Sequence, residues 1–163
     1  EGTFVASEYS LGFDGLLNYY ADSEKVICED FSEAFIAQTG YSSKFAYPYV
    51  VKDSEELLER IAQDDMVRGI TISAPGFYGP QGRAIRLPLA DADLNNKIIG
   101  FDYKGHKVTN FEMEGSAIAG LSAMLGHKAL TICLIIANRF GKRFIGDYKP
   151  YMEKLIKTVL ERI

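Results

Sequence analysis

The stretch between residues 47 and 76 constrains the fold most, because its hydrophobic period changes twice within thirty residues. Residues 47–51 read as a strand, and Pro48 places it at an edge or a strand start. Asp53-Ser54-Glu55-Glu56 reads as a capping-box start for a helix carrying Leu57, Leu58 and Ile61. After the acidic turn Asp64-Asp65, residues 67–74 form a β-branched run halted by Pro75-Gly76. Alternation of this kind specifies α/β architecture.

The flanks extend the pattern. Residues 2–7 are a short strand candidate, and residues 9–20, with Gly12, Asp14, Gly15 and Asn18, carry a loop signature. Asp22 or Ser23 can cap a helix with Val26, Ile27, Phe31, Ala34, Phe35 and Ile36 on one face, ended by Gly40. Residues 76–110 are rich in Gly, Pro, Asp and Asn and are expected to be mostly irregular. Residues 113–125 read as a small-residue helix stopped by Gly126, and residues 129–137 as a buried strand. Residues 150–163 read as an amphipathic helix with Tyr151, Leu155, Ile156, Val159 and Leu160 on one side. No repeat or linker interrupts this order, so residues 1–163 are expected to form one domain.

A formal charge of -4 argues against nucleic acid or an anionic membrane surface as a main partner. The longest apolar run, Ile132 to Ala137, is far short of the roughly 20 residues of a membrane span. Cys28 and Cys133 sit in apolar segments and read as reduced core residues rather than a disulfide or metal pair. Together these features point to the cytoplasm. The chain opens on Glu1-Gly2-Thr3-Phe4-Val5, so it is expected to begin inside a domain.

Three polar clusters follow predicted strands, where α/β sheets collect ligands. The first holds Phe77, Tyr78, Gln81, Arg83 and Arg86. A Gln amide beside an Arg fork complements a planar ring with adjacent carbonyls and an imide N–H. Ordinary surface-loop chemistry is the alternative. The second is Asn110 to Glu114 at a helix start. Its carboxylates could serve only the helix dipole, or could accept hydrogen bonds from vicinal sugar hydroxyls beside the Met113 thioether. The third is Asn138-Arg139, either a polar exit from the sheet or an Arg supporting Gln81. His106 and His127 read as exposed turn residues, and Arg139, Lys142 and Arg143 as a solvated charged turn.

These residues resemble the nucleoside phosphorylases, a family that includes uridine phosphorylases. Thr109-Asn110-Phe111-Glu112-Met113-Glu114-Gly115-Ser116-Ala117 is similar to the family's ribose-binding motif. Phe77-Tyr78-Gly79-Pro80-Gln81-Gly82-Arg83 is similar to a uracil-recognition loop, and Ile135-Ile136-Ala137-Asn138-Arg139 to the strand end that follows. The resemblance implies a three-layer α/β/α fold with a mixed central sheet, incomplete at its N-terminus, representing the C-terminal two-thirds of the domain. It implies that Gln81 and Arg83 hydrogen-bond uracil, that Phe77 packs on it, and that Ile136 and Ala137 line its pocket, with Arg139 assisting. Met113 and Glu114 would contact the ribose, with Phe111 in the same motif and Glu112 beside the same sugar. Arg83 and Glu114 would be the catalytic pair.

The implied reaction is phosphorolysis of uridine to uracil and ribose 1-phosphate. Inorganic phosphate is the co-substrate, and no metal or organic cofactor is needed. Purine-cleaving relatives commonly place an Asp where this chain has Asn138, which cannot act as a general acid near neutral pH. The resemblance also implies a homo-oligomer, a hexamer built of dimers. The family's phosphate-binding arginines and phosphate loop have no counterpart here. The chain alone is therefore expected to turn over little, and to expose apolar edges that favour association. The alternatives are a purine-type phosphorylase or nucleosidase, and a non-catalytic nucleoside-binding module.

Overall fold

The computed structural model describes residues 2–138 and 141–163. In chain order the main elements begin with β1 (Phe4–Gly12), α1 (Glu29–Thr39), β2 (Tyr49–Lys52), α2 (Glu55–Ile61) and β3 (Met66–Ser73). They continue with α3 (Leu94–Gly100), β4 (Asp102–Tyr103), β5 (His106–Glu112), α4 (Gly115–Met124) and β6 (Ile132–Leu134). The chain closes with the two-stranded ribbon of β7 (Ala137–Asn138) and β8 (Arg143–Phe144), and with α5 (Lys149–Arg162).

The sheet runs β2-β1-β3-β5-β4, with β6 also pairing β1. β1, β3 and β5 are mutually parallel, whereas β2, β4 and β6 run antiparallel to their neighbours. The sheet is therefore mixed, as the resemblance implies. Opposite Gly69 and Ile70, β1 carries one extra residue, Glu8, so the register shifts there. The bulge keeps Phe4, Ala6, Tyr9 and Leu11 on one face, beside Met66, Ile70 and Ile72. That face is apolar. Its upper half packs on Phe31 and Phe35 of α1 and Ile98 of α3, its lower half on Leu58 and Ile61 of α2 and Leu155 of α5.

The opposite face carries Ser7, Ser10, Gly12, Thr71 and Ser73, all small, and α4 lies over it. Small side chains on both surfaces permit the close approach: Gly115, Ser116, Ala119 and Gly120 are the buried positions of α4. Helices thus cover both faces, giving three layers.

The expected loop over residues 9–20 is partly wrong, because β1 continues to Gly12. Its backbone there is paired on both sides, with β2 and β3, and that pairing overrides the local loop signature. At the expected start a short 3-10 turn, Ser23–Lys25, follows Asp22, and the α-helix itself begins only at Glu29. Cys28 N–H is bonded to the Val50 carbonyl and Ile27 bridges Val51, so the strand edge captures residues the periodicity assigns to the helix. Residues 76–93 are irregular apart from a 3-10 turn, as expected, whereas α3, β4 and most of β5 occupy the rest of the stretch to residue 110. The β4–β5 hairpin turns on Lys104 and Gly105, both at positive φ (53° and 91°), a two-residue geometry that Gly favours.

The buried strand expected over 129–137 is short. Pairing with β1 holds only Ile132 to Leu134, and Ala137 leaves for the separate ribbon with β8. In α5 only Leu155 is buried, with Met152 and Val159 half-buried against the same cluster; Ile156 and Leu160 face outward. The helix stops at Gly40 and Gly126 match expectation, with φ of 61° and 75°. His127 is exposed, but His106 is not a free turn residue. Its Nδ1 lies 2.8 Å from Glu8 Oε2 and its ring meets Tyr9 edge-on. Cys28 and Cys133 are both free and half-buried.

Candidate nucleoside site

The segment leaving β3 folds back on itself. Gln81 and Arg83 amides both bond the Tyr78 carbonyl, at 3.1 and 2.9 Å, through a 3-10 turn at Gly79–Gln81. Gly82 takes a left-handed conformation (φ 74°), where a side chain would run into Asn95. The turn drives Gln81 inward until it is 4% exposed. Arg83 Nη1 donates to Gln81 Oε1 at 2.7 Å and also to the Phe77 carbonyl. The guanidinium carbon sits 3.7 Å from the centre of the Phe77 ring. Phe77, Gln81 and Arg83 are therefore one interlocked unit, in which Phe77 remains 51% exposed. Burial draws the Arg83 pKa downward, but a guanidinium remains protonated at neutral pH.

The segment leaving β5 begins at Glu112, the register partner of Ser73. Phe111 pairs with Ile72 and packs against the apolar core, while Asn110 and Glu112 lie on the hydroxyl-lined face. Glu112 Oε2 accepts the amides of Glu114 and Gly115, both at 2.7 Å, and Oε1 accepts the Ser73 hydroxyl. Glu114 is the residue before the first turn of α4, and its side chain makes no capping hydrogen bond. Glu114 and Met113 are both exposed.

The third segment is placed differently from expectation. Because β6 runs against β1, its end lies beside Phe4, not beside the exits of β3 and β5. The curled sheet still brings Ile136 and Ala137 to the same cavity. Asn138 Oδ1 accepts the Gly141 amide at 2.8 Å. Arg139 lies outside the described residues.

All three segments bound one cavity of about 660 Å³. Phe77, Gln81 and Arg83 come from the first, Phe111, Glu112, Met113 and Glu114 from the second, Ile136 and Ala137 from the third. A second, slightly larger cavity of about 730 Å³ lies behind the first loop, walled by Phe13, Tyr41, Phe45, Tyr78, Ile85 and Leu87. It is mainly apolar, and its Asp91 is paired with Lys97 at 2.9 Å. The smaller cavity has the convergent donors and acceptors that orient a polar ligand, and it is the better candidate.

The structure adds residues that the sequence reading passed over. Asn95 Nδ2 bonds the Gln81 carbonyl at 3.3 Å and so supports the loop. Cys133 lines the cavity, and burial pushes its thiol up to about 11, with the Asn110 amide acting against the shift. The polar positions Thr71 and Ser73, alternating with Ile70 and Ile72 in the second half of β3, were the available signal for a functional face. No cluster of His, Cys, Asp or Glu suited to a metal occurs among the described residues.

The chain belongs to the phosphorylase superfamily, whose sequence model matches residues 1–161. Within it, the chain is similar to uridine phosphorylase A and to inactive uridine phosphorylase B of Schistosoma mansoni. Each is 30% identical over 100 residues, covering 55% of this chain and 30% of the relative. Among solved structures, a Trypanosoma brucei nucleoside phosphorylase described as showing uridine phosphorylase activity superposes with a TM-score of 0.82. It is 26% identical over 98% of this chain and 57% of that one. The uracil complex of a Schistosoma mansoni uridine phosphorylase, at 19% identity and a TM-score of 0.56, shares the fold over 98% of this chain and 51% of that one. The chain thus spans less than two thirds of the length of each relative. The Schistosoma protein named as inactive matches at the same identity and coverage as the one not so named, so overall similarity does not decide activity.

Proposed function

We propose that this chain carries the base and sugar subsites of a uridine phosphorylase, which cleaves uridine with inorganic phosphate to give uracil and ribose 1-phosphate. The supporting observation is the convergence of the Gln81–Arg83 pair with Glu114 in one cavity. Gln81 and Arg83 offer donors to the base carbonyls, and the Gln81 amide oxygen can serve the imide N–H. Phe77 packs on the ring, and Ile136 and Ala137 close its edge. Met113 packs on the sugar, and Glu114 accepts hydrogen bonds from its 2′ and 3′ hydroxyls. The base leaves as an anion with its charge on carbonyl oxygens, where Arg83 stabilises it. Phosphate attacks the anomeric carbon, forming the new C–O bond as the bond to the base nitrogen breaks. No metal or organic cofactor enters.

A second reading, nucleoside binding without turnover, has its own support. Among the described cavity residues Arg83 is the one cation, and its guanidinium is held against Phe77 and Gln81. Calorimetry with uracil, uridine and inosine, followed by a phosphate-dependent assay for uracil release, separates the readings. Binding of uridine and uracil with inosine excluded is expected, with uracil release slow or absent for this chain. Tighter binding of inosine than of uridine would sink the pyrimidine assignment.

A further inference from the structure

The carboxylate of Glu112, although Glu112 lines the cavity, is already committed within the protein. Both its oxygens are engaged, Oε2 by the amides of Glu114 and Gly115 at 2.7 Å, Oε1 by the Ser73 hydroxyl. Ser73 Oγ in turn accepts the Ser116 amide at 2.8 Å, and Ser116 Oγ is 3.0 Å from the Tyr49 hydroxyl. Ser73, Ser116 and Tyr49 are fully buried. Three successive amides at the start of α4, which a helix leaves without internal partners, are therefore all satisfied from within the protein. The space around them is closed as well. A Cβ on Gly115 would stand 2.7 Å from Thr131 Oγ1 and 3.1 Å from Glu112 Oε1.

We infer that Ser73 and Glu112 are positioning residues for the sugar subsite: they clamp the first amides of α4 so that Glu114 projects into the cavity. The inference rests on the nucleoside reading above. It assigns the two carboxylates of the motif different tasks. Glu112 holds backbone, and Glu114, which makes no capping bond, meets the sugar hydroxyls. It also makes the start of α4 unavailable to a phosphate ion, because the amides that would bind one are occupied. Ser73 ends a strand and Glu112 ends its parallel neighbour, so the clamp ties the sugar subsite to the register of β3 and β5. A shift of that register by one residue would turn both side chains to the other face.

The test uses calorimetry with uracil, uridine and 2′-deoxyuridine on the wild type, Ser73→Ala and Glu114→Gln. Uracil contacts only the base subsite, so its affinity should stay within about twofold in Ser73→Ala. Uridine affinity should fall about tenfold, the scale of a lost hydrogen bond to a buried charge. The preference for uridine over 2′-deoxyuridine should shrink in Ser73→Ala as it does in Glu114→Gln. Equal loss for uracil and uridine, or no loss for either, overturns the inference while leaving the nucleoside reading intact. Absence of uridine binding by the wild type removes both. If Ser73→Ala does not fold, amide hydrogen exchange of the wild type decides. Protection of the Glu114, Gly115 and Ser116 amides supports the clamp, and exchange as fast as in open loops refutes it.

Discussion

Arg83 carries three interactions at once: the stack on Phe77, the bond to Gln81, and the bond to the Phe77 carbonyl. A planar fork can hold all three, whereas a lysine ammonium has no flat face to stack and no fixed fork. Arg83→Lys should therefore keep the charge and lose the geometry. Uracil affinity is expected to fall about tenfold, with thermal stability changed by less than ~1 kcal/mol because the loop lies outside the core. Retained uracil affinity would show that charge alone suffices. The residue types of this site were legible beforehand, since Gln, Arg and Phe with Gly and Pro between them announce planar recognition. Their mutual arrangement was not. It depends on the 3-10 turn and the left-handed Gly82, which bury Gln81 while leaving Phe77 open.

At the scale of elements, α2 and α4 show what capping signals do and do not say. The start of α2 was readable, and Ser54 Oγ accepts the Leu57 amide at 3.4 Å. The reciprocal half of the expected box is not made, because Glu56 pairs with Lys128 at 2.5 Å and Asp53 turns into the interior. The start of α4 carries no Ser, Thr, Asp or Asn cap, and its amides are closed from a distance by Glu112 and Ser73. Such a cap depends on strand register, which no local pattern specifies. Gly115→Ala would press a methyl group against Thr131 and Glu112. It should destabilise the protein by about 1–2 kcal/mol and weaken uridine binding. Chemical denaturation of the variant checks the first effect, and an unchanged midpoint would mean that Thr131 yields without cost.

The whole molecule holds a buried carboxylate far from solvent at the join of β2, β1 and the segment before β6. Asp53 is 4% exposed and accepts Ser10 Oγ at 2.7 Å and the Thr131 amide at 3.3 Å. Burial, aided by the charge of Glu112 and opposed by those two bonds, pushes its pKa from 3.8 up to about 7. A folded pKa above the unfolded one means that the folded state holds the proton longer. Its contribution to stability is therefore greatest at low pH and is lost as pH rises from about 4 to about 7. Asp53→Asn removes this dependence and keeps a polar group at the site. The variant should match the wild type near pH 4 and exceed it by about 4 kcal/mol at pH 8. Urea denaturation at the two pH values checks this, and a variant less stable than wild type at pH 8 would contradict it. The comparison isolates Asp53 from carboxylates such as Asp30 and Asp65, whose pKa values are lowered by their partners.

The alternating α/β plan, the two Gly helix stops and the residue types of the candidate cavity can all be read from the sequence. Those features are local: they follow from hydrophobic period, backbone freedom at Gly, and the donor and acceptor chemistry of neighbouring side chains. Tertiary structure alone decided that Tyr9 to Gly12 belong to a strand, that Ile27 joins a sheet edge, and that β6 runs against β1. It also decided that Glu112 faces Ser73. Each of these depends on pairing between residues far apart in the chain, where backbone hydrogen bonds formed across the sheet outweigh local preference.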